Sequence, residues 1–402
     1  MVLIMSFLST ILPIIVLPLV LLFLMIEKNN HNKKIYCVIF AIIVSFILYN
    51  FKPNQSLDLY RYYKLMDSFS LLDFSSFFKY LTSNIEPISN LLFYFFSKTN
   101  DNNLLIYFIS LISYLIQIYI IFDYQEKKEL SNGKFNVIII YFLSTFQIIY
   151  YISGVRFCLA RLLFFLALYQ DFYKGKKGIL IILLYMIPVL IHQSMLILLI
   201  FRLLLLINRN KFDFKFIIFF LLMFIIPNLI FNFTDQLSSS FSFLGLLSQR
   251  TEGYLNSGNN FSNIYKLQLC LLIIMIIYTL LIKYKKIETN NKMINYSLIV
   301  MFFSLVFYNS AVLSNRFISI CSSYFILFLM DYIKSIKGFF RFVLEIIILI
   351  MSFVFLIFQF IQLKFGTYPL IFNLNIKITF ISFIILLVIN ILVFKKGDKT
   401  HE

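Results

Sequence analysis

About thirteen apolar stretches, separated by short polar segments, follow one another along the 402-residue chain. Most run for about 17 to 22 residues, the length that a helix needs to cross the hydrocarbon core of a bilayer. Strands of a membrane barrel would instead alternate apolar and polar residues over about 10 positions. The pattern therefore predicts an all-α polytopic membrane protein with about 13 transmembrane helices. The predicted spans are residues 6–26, 35–51, 104–122, 136–153, 156–173, 179–191, 193–207, 216–233, 265–282, 293–312, 317–333, 342–362 and 376–394.

One pair of predicted spans is too short for two full crossings. Residues 179–207 lie between two lysine-rich loops, and a helix rises only about 1.5 Å per residue through a core roughly 30 Å thick. We therefore expect short or broken helices that meet at Ile191, His192 and Gln193, with His192 toward the outer face. Non-helical backbone at this depth is tolerated where it is buried in protein or lines a wet cavity.

Two outer loops are long enough to carry structure of their own, at residues 52–103 and 234–264. In the first loop, apolar residues at helical spacing predict an amphipathic helix at the membrane interface. Those residues are Leu59, Tyr62, Tyr63, Met66, Phe69, Leu72 and Phe77. The apolar stretch from Pro87 to Ser97 is too short to span, so it dips into the outer leaflet or packs on the helices. The loop at 234–264 is rich in Ser, Gly and Asn and is expected to be mobile. No repeat or linker divides the chain, which predicts one domain over residues 1–402.

Composition excludes a water-soluble domain. Hydrophobic residues make up 61% of the chain, charged residues 13%, and the mean hydropathy is +0.90, so too little polar surface exists to face water. The four cysteines lie inside or at the edges of apolar runs, without paired ligand spacing. They argue against a disulfide framework and against a zinc site.

The basic residues predict the orientation in the membrane. Lysine-rich clusters fall in loops at 28–34, 127–134, 174–177, 209–215, 283–292, 334–341 and 395–399. All seven lie on one side if the spans are right, and basic loops mark the cytoplasmic side. The N-terminus is then outside and the C-terminus inside. The net charge of +17 is explained by this topology and by anionic lipid headgroups, so no nucleic-acid partner is expected.

Charged residues on the opposite, outer side are the candidates for chemistry, because charge near the membrane interior is costly. They are Asp58, Arg61, Glu86, Arg156, His192, Arg250, Glu252 and Arg316, with Arg161 about 7.5 Å deeper than Arg156. Arginines at outer helix ends are suited to bind a carboxylate, phosphate or diphosphate. Alternatively, each reaches lipid headgroups or pairs with a local acid.

Asp58, Glu86 and His192 also have alternative interpretations. Asp58 and Arg61 stand at i and i+3, which suits an ordinary surface pair, while Asp58 also suits a general base or an acceptor for sugar hydroxyls. If Asp58 serves a sugar substrate, the rings of Tyr62 and Tyr63 are expected to contact the sugar. Glu86, before Pro87, fits the same roles or a helix N-cap. His192 fits a hydrogen bond across helices or a catalytic role.

The order of these motifs resembles a known family. They are Asp58-x-x-Arg61-Tyr62, Glu86-Pro87, Gly154-x-Arg156 with Arg161, Ile191-His192-Gln193-Ser194, and Asn315-Arg316-Phe317. Together, over residues 50–335, they resemble the EpsG family of Wzy-type polysaccharide polymerases.

The resemblance implies a glycosyltransferase with GT-C-like architecture in the bacterial inner membrane. In that chemistry a glycan on undecaprenyl diphosphate is transferred, on the periplasmic side, to the terminal sugar hydroxyl of a new lipid-linked repeat unit. Undecaprenyl diphosphate leaves, and the product is O-antigen, capsule or exopolysaccharide. The implied partners are the lipid-linked repeat unit, membrane lipids and a chain-length regulator. No cofactor or metal is required, because arginines can supply the charge stabilisation otherwise left to magnesium.

The resemblance also implies roles for single residues. Arg156 and Arg316 would bind the diphosphate, helped by Arg161, Arg61 or Arg250. Asp58, Glu86 and His192, in that order, are the candidate bases. A lipid-linked oligosaccharide flippase is the first alternative, but it is expected to show inverted repeats and polar residues at the midplane. An O-antigen ligase and a non-enzymatic scaffold are the others.

Overall fold

The computed structural model describes residues 20–208, 263–284, 290–306, 311–336 and 338–362, apart from residues 22, 25, 56, 83, 85, 146–150 and 153. Within these ranges the regular structure is helical and contains no strand, as the all-α prediction requires. The helices are α1 (Asn30–Tyr49), α2 (Asp58–Ser70), α3 (Phe74–Thr82), α4 (Pro87–Ser97), α5 (Asn103–Lys128), α6 (Asn132–Thr145), α7 (Val155–Phe172), α8 (Ile179–Ile191), α9 (Ser194–Ile207), α10 (Asn263–Tyr284), α11 (Asn291–Val306), α12 (Ala311–Ser335) and α13 (Gly338–Gln362).

Helices α1 and α5 to α13 correspond to ten of the predicted spans. Among the described residues, three segments are long and apolar enough to cross a bilayer: Asn30–Tyr49, Asn103–Lys128 and Arg316–Ser335. The other apolar helices there are shorter or carry more charge. The predicted spans 216–233 and 376–394 lie outside the described residues, as does most of 6–26.

Contacts divide the chain into two compact units. The first comprises residues 1–170, 177–195 and 329–402. Within it α1 packs along α5, α6 packs against α13, and α4 contacts α2, α3, α5 and α8. Helix α5 turns Ser110, Ser113 and Gln117 inward while Phe108 and Ile112 stay exposed. An apolar outer face with a polar inner face is what a helix in lipid requires.

The second unit comprises residues 171–176 and 196–328. Helix α10 packs against α11, and the rings of Phe201 and Phe317 both meet the ring of Phe303, at centroid distances of 5.0 Å and 4.8 Å. Arg202, buried on α9, pairs with Asp171 at 2.7 Å. This ion pair accounts for a charged residue within an otherwise apolar helix.

The segment 52–103, predicted to be the first outer loop, folds into helices α2, α3 and α4. Leu59, Met66 and Phe69 are buried on α2, as the amphipathic pattern predicts. The predicted helical spacing runs from Leu59 to Phe77, but α2 ends at Ser70 and Phe77 lies on the separate helix α3. The Lys98 ammonium donates to the carbonyl oxygens of Ser70 and Leu72 at 2.8 Å and 2.7 Å, which satisfies groups that a helix end leaves free.

The short apolar stretch Pro87–Ser97 packs on the helices of the first unit, which is one of the two predicted alternatives. As α4 it has Ser89, Asn90, Phe93, Tyr94 and Ser97 buried. The ring of Phe77 from α3 stacks on that of Tyr94 at 4.0 Å. The outer loop is therefore a packed layer, and this layer holds the N-terminus of α4 in place.

The predicted break between α8 and α9 is present. Helix α8 contains Pro188 and ends at Ile191, and His192 adopts an extended conformation with φ −151° and ψ 120°. The His192 N–H donates to the Pro188 carbonyl at 2.9 Å. Helix α9 begins again at Ser194. The break leaves polar backbone and three polar side chains at one point of the fold.

Candidate functional site

Arg156 lies in the first turn of α7 and contacts two residues of segment 52–103 that are far from it in sequence. Its Nε–H donates to the Tyr62 hydroxyl at 3.2 Å, and its Cζ lies 4.9 Å from the centre of the Tyr62 ring. Its Nη1 donates to Oε2 of Glu86, with which it forms an ion pair. The guanidinium is thus fixed by an aromatic face and a carboxylate, which limits its rotamers before any ligand arrives.

Glu86 occupies the N-cap position of α4, with Pro87 as the first helical residue. Glu86 thus holds the N-cap position that the sequence offered, but its side chain makes no capping hydrogen bond to that helix. One carboxylate oxygen accepts from Arg156, and the other accepts from the Gln193 N–H at 3.3 Å. Glu86 is 5% exposed, and a buried carboxylate needs such partners.

The break between α8 and α9 supplies the third side of this cluster. The Ser194 N–H donates to Nδ1 of His192 at 3.2 Å, and the Ser194 hydroxyl lies 2.7 Å from the same atom. With Nδ1 accepting from the Ser194 N–H, the neutral form of His192 carries its hydrogen on Nε2. The edge-on contact of its ring with Phe157, at 5.5 Å, ties it to α7.

Tyr62 forms the aromatic wall of the cluster and packs against Phe93 at a centroid distance of 5.1 Å. Burial raises the pKa of the Tyr62 hydroxyl, and the charges of Asp58 and Glu86 raise it further, against the opposing effect of Arg156. The hydroxyl therefore stays protonated at neutral pH. It accepts from Arg156 while its own O–H is still able to donate.

Asp58 and Arg61 form the exposed rim of the cluster. Asp58 is the first residue of α2, and its carboxylate pairs with Arg61 at 3.3 Å. The two side chains are 35% and 70% exposed, respectively, so this pair contributes little stability. Asp58 lies one helical turn before Tyr62 on α2, and its charge raises the pKa of the Tyr62 hydroxyl.

Other predicted site residues lie elsewhere. For Tyr63, burial and the charge of Asp101, a different acid, raise the pKa of the hydroxyl. Arg161 is 4% exposed, and its Nη2 lies 3.9 Å from the Cys158 sulfur. Arg316 is half-buried on α12 in the second unit. Arg250 and the loop at 234–264, except its last two residues, lie outside the described residues.

Four members of the cluster were not singled out from the sequence: the Gln193 backbone, Ser194, Phe93 and Phe157. A backbone N–H has no side-chain signature, so only the predicted helix break pointed to Gln193. Ser194 belongs to the motif Ile191-His192-Gln193-Ser194, but the motif alone predicts no role for the serine. Phe93 and Phe157 are two aromatic residues in a chain with 51 phenylalanines, which makes them indistinguishable from ordinary core or lipid-facing residues.

The cluster combines balanced charge with one open donor edge. Glu86 and Asp58 offset Arg156 and Arg61, and within the described part of the chain Nη2 of Arg156 has no protein acceptor. The Arg156 side chain is 25% exposed, so this edge can reach a phosphate or a sugar oxygen from outside. Among the described residues, no three His, Cys, Asp or Glu side chains are grouped to hold a metal ion.

Comparison with known proteins assigns the chain to a family. The model of the EpsG family matches residues 33–372, a range that includes the whole Arg156 cluster. No curated protein and no solved structure matches the chain. Because the family match covers most of the sequence and the described segments include long apolar helices, this chain is a helical membrane protein that belongs to the EpsG family.

Proposed function

We propose that the chain is a membrane glycosyltransferase that polymerises undecaprenyl-diphosphate-linked oligosaccharide repeat units into O-antigen or a related surface polysaccharide. The observation that carries the proposal is the arrangement of Arg156, which Tyr62 and Glu86 hold in place with one edge open. Membership of the EpsG family supports polysaccharide synthesis as its setting. A fixed guanidinium is suited to a group whose negative charge grows during the reaction.

The proposed location follows from the charge distribution. The lysine clusters favour a bacterial inner membrane protein with its N-terminus outside and its C-terminus in the cytoplasm. Arg156, Glu86 and His192 then belong to the periplasmic end of the helices. In this orientation the cluster lies where a lipid-linked substrate presents its diphosphate and sugars, at the boundary between membrane and water.

The proposed step is a displacement at the anomeric carbon of the growing glycan. The acceptor hydroxyl oxygen forms the new glycosidic bond, while the bond from the anomeric carbon to the diphosphate oxygen breaks. The electron pair leaves with undecaprenyl diphosphate, whose added charge Arg156 stabilises through its open edge. Removing one such donor in other enzymes typically costs about 10²–10³-fold in rate.

Asp58 is the best candidate to take the proton from the acceptor hydroxyl. Its carboxylate lies at the exposed rim, where a sugar can reach it. Both oxygens of Glu86 already accept hydrogen bonds, and His192 accepts at Nδ1. We therefore assign His192 as a donor to a sugar or phosphate oxygen. Tyr62, with its ring beside the guanidinium, is the sugar-contacting residue that the structure favours over Tyr63.

For the remaining arginines we propose more limited roles. Arg316 retains the role of a diphosphate ligand that its sequence context suggested. Arg61, paired with Asp58, is suited to orient that carboxylate. Arg161 is buried beside Cys158 and keeps the role of an additional diphosphate-binding residue that the family resemblance suggested. Arg250 stays a candidate from sequence alone. A chain-length regulator is an expected partner, and no cofactor is part of the proposal.

The function is tested by the surface polysaccharide of a strain that lacks this gene, compared on a gel with the complemented strain. Loss of the polymer ladder with retention of a single-repeat product would support a polymerase. Loss of the single-repeat product as well would contradict the proposal and favour a flippase or a ligase. Complementation with Arg156→Ala, expressed at wild-type level, ties the result to the cluster.

A further inference from the structure

Two hydrogen-bond donors from separate parts of the fold converge on one carboxylate. The Arg156 guanidinium comes from the start of α7, and the Gln193 N–H comes from the break between α8 and α9. A guanidinium together with a backbone N–H is a typical donor set for an oxyanion. Here the oxyanion that fills this set belongs to the protein itself, namely Glu86.

The Glu86 carboxylate can move away from Arg156 without disrupting α4. It precedes α4, its side chain makes no capping bond to that helix, and its backbone has φ −115° and ψ 66°, outside the helical region. Helix α4 keeps its first turn through Pro87 and through the Asn90 N–H, which donates to the Glu86 carbonyl at 3.3 Å. Moving the carboxylate therefore does not require the helix to unwind.

Electrostatic repulsion makes it unfavourable for Glu86 and a phosphate group to lie beside Arg156 at the same time. With Glu86 in place, Arg156 is already neutralised, and Asp58 adds a second negative charge nearby. A phosphate group brought to the open edge of Arg156 would lie close to both carboxylates, in surroundings where charges are poorly screened. Exchange of one anion for another avoids this repulsion and leaves the guanidinium paired.

We infer that Arg156 and the Gln193 N–H form an anion-binding site that Glu86 occupies in the absence of substrate, and that a phosphate group of the substrate displaces Glu86 from it. The inference rests on the proposed function and specifies how its diphosphate is bound. Glu86 is then an internal competitor and neither the base nor a permanent ligand of Arg156. A diphosphate, which carries more charge than a monophosphate, displaces it more effectively.

The test is equilibrium binding of inorganic pyrophosphate to the full-length chain in lipid nanodiscs at low ionic strength. Glu86→Gln keeps the side-chain volume and an oxygen for the Gln193 N–H but removes the competing charge. We expect it to bind pyrophosphate about five- to tenfold more tightly than the wild type, where tenfold corresponds to about 1.4 kcal/mol. Adding Arg156→Ala to Glu86→Gln should abolish the gain.

Asp73→Asn is the matched control. It removes the same charge from the same outer loop, and Asp73 is exposed at the start of α3, where it accepts from the Ser76 N–H. Its affinity for pyrophosphate should stay within about twofold of the wild type. The unfolding temperature is a second measurement. Pyrophosphate should raise it more in Glu86→Gln than in the wild type if pyrophosphate binds where the Glu86 carboxylate lies in the wild type.

The possible outcomes distinguish failure of this inference from failure of the proposed function. Equal or weaker binding by Glu86→Gln, with binding lost in Arg156→Ala, would overturn the inference, since Glu86 would then serve to position Arg156. The proposed function would stand in that case. Absence of saturable pyrophosphate binding in every variant would overturn both the inference and the diphosphate role of Arg156.

Discussion

Arg156 and Glu86 lie 70 residues apart in the sequence and form an ion pair in which the glutamate side chain is only 6% exposed. The pair joins the start of α7 to the start of α4. Breaking a buried pair by removing one partner typically costs about 3–5 kcal/mol, and the partial exposure of Arg156 lowers that figure here. The contact therefore both organises the outer loop and fixes the residue on which the proposed chemistry depends.

Replacing Arg156 should abolish polymerisation without preventing membrane insertion. We expect Arg156→Ala to lower the polymerisation rate by at least about 10²-fold. Arg156→Lys should also be strongly impaired, because an ammonium has no planar fork with which to meet the Tyr62 hydroxyl and an anion together. The measurement is the polysaccharide ladder at matched expression. Wild-type chain length in Arg156→Ala would remove the diphosphate assignment.

Tyr62 should separate the contribution of its ring from that of its hydroxyl. Tyr62→Phe keeps the aromatic face beside Arg156 and loses the acceptor at 3.2 Å from Nε, at a cost of about 1 kcal/mol in binding or rate. Tyr62→Ala loses both and should be several-fold worse. Initial polymerisation rates in membranes decide this. Tyr63→Phe is the control, and activity that depends on Tyr63 as strongly as on Tyr62 would contradict the arrangement.

Asp58→Asn tests the proposed base. Loss of a general base typically lowers a rate by about 10²–10⁴-fold, and the change should reduce turnover more than substrate binding. Asp67→Asn is a matched control, because Asp67 lies on the same helix and its carboxylate accepts from Asn102 at 2.7 Å. If Asp58→Asn polymerises at the wild-type rate, the proton is taken by another group or by solvent.

Arg316→Ala should also abolish polymerisation while leaving expression intact. The expectation rests on its sequence context, in which an arginine follows Asn315 on the predicted outer side. Arg202→Ala is an informative comparison, since Arg202 pairs with Asp171 at 2.7 Å at the predicted inner end. That variant should lose stability, measured as a lower unfolding temperature, but retain catalysis by the protein that remains folded.

The sequence predicted the helical class and the break in α8–α9 because both follow from strong local physics. A long apolar run must form a helix in lipid to satisfy its backbone, and too few residues between two lysine-rich loops must give short helices. The outer loop was predicted less completely. Its helical spacing predicts one helix as far as Phe77, whereas α2 ends at Ser70 and Lys98 binds the carbonyls of Ser70 and Leu72.

The sequence alone identifies Asp58, Glu86, Arg156 and His192 as candidate functional residues, because they are charged or polar groups where such groups are costly. It left open whether Glu86 caps a helix or has a functional role, and it gave Tyr62 and Tyr63 the same role. Only the tertiary structure shows that Glu86 meets Arg156 and the Gln193 backbone, across 70 and 107 residues, and that Tyr62 contacts Arg156. Such contacts depend on how packed helices bring distant segments together, which no local pattern of residues encodes.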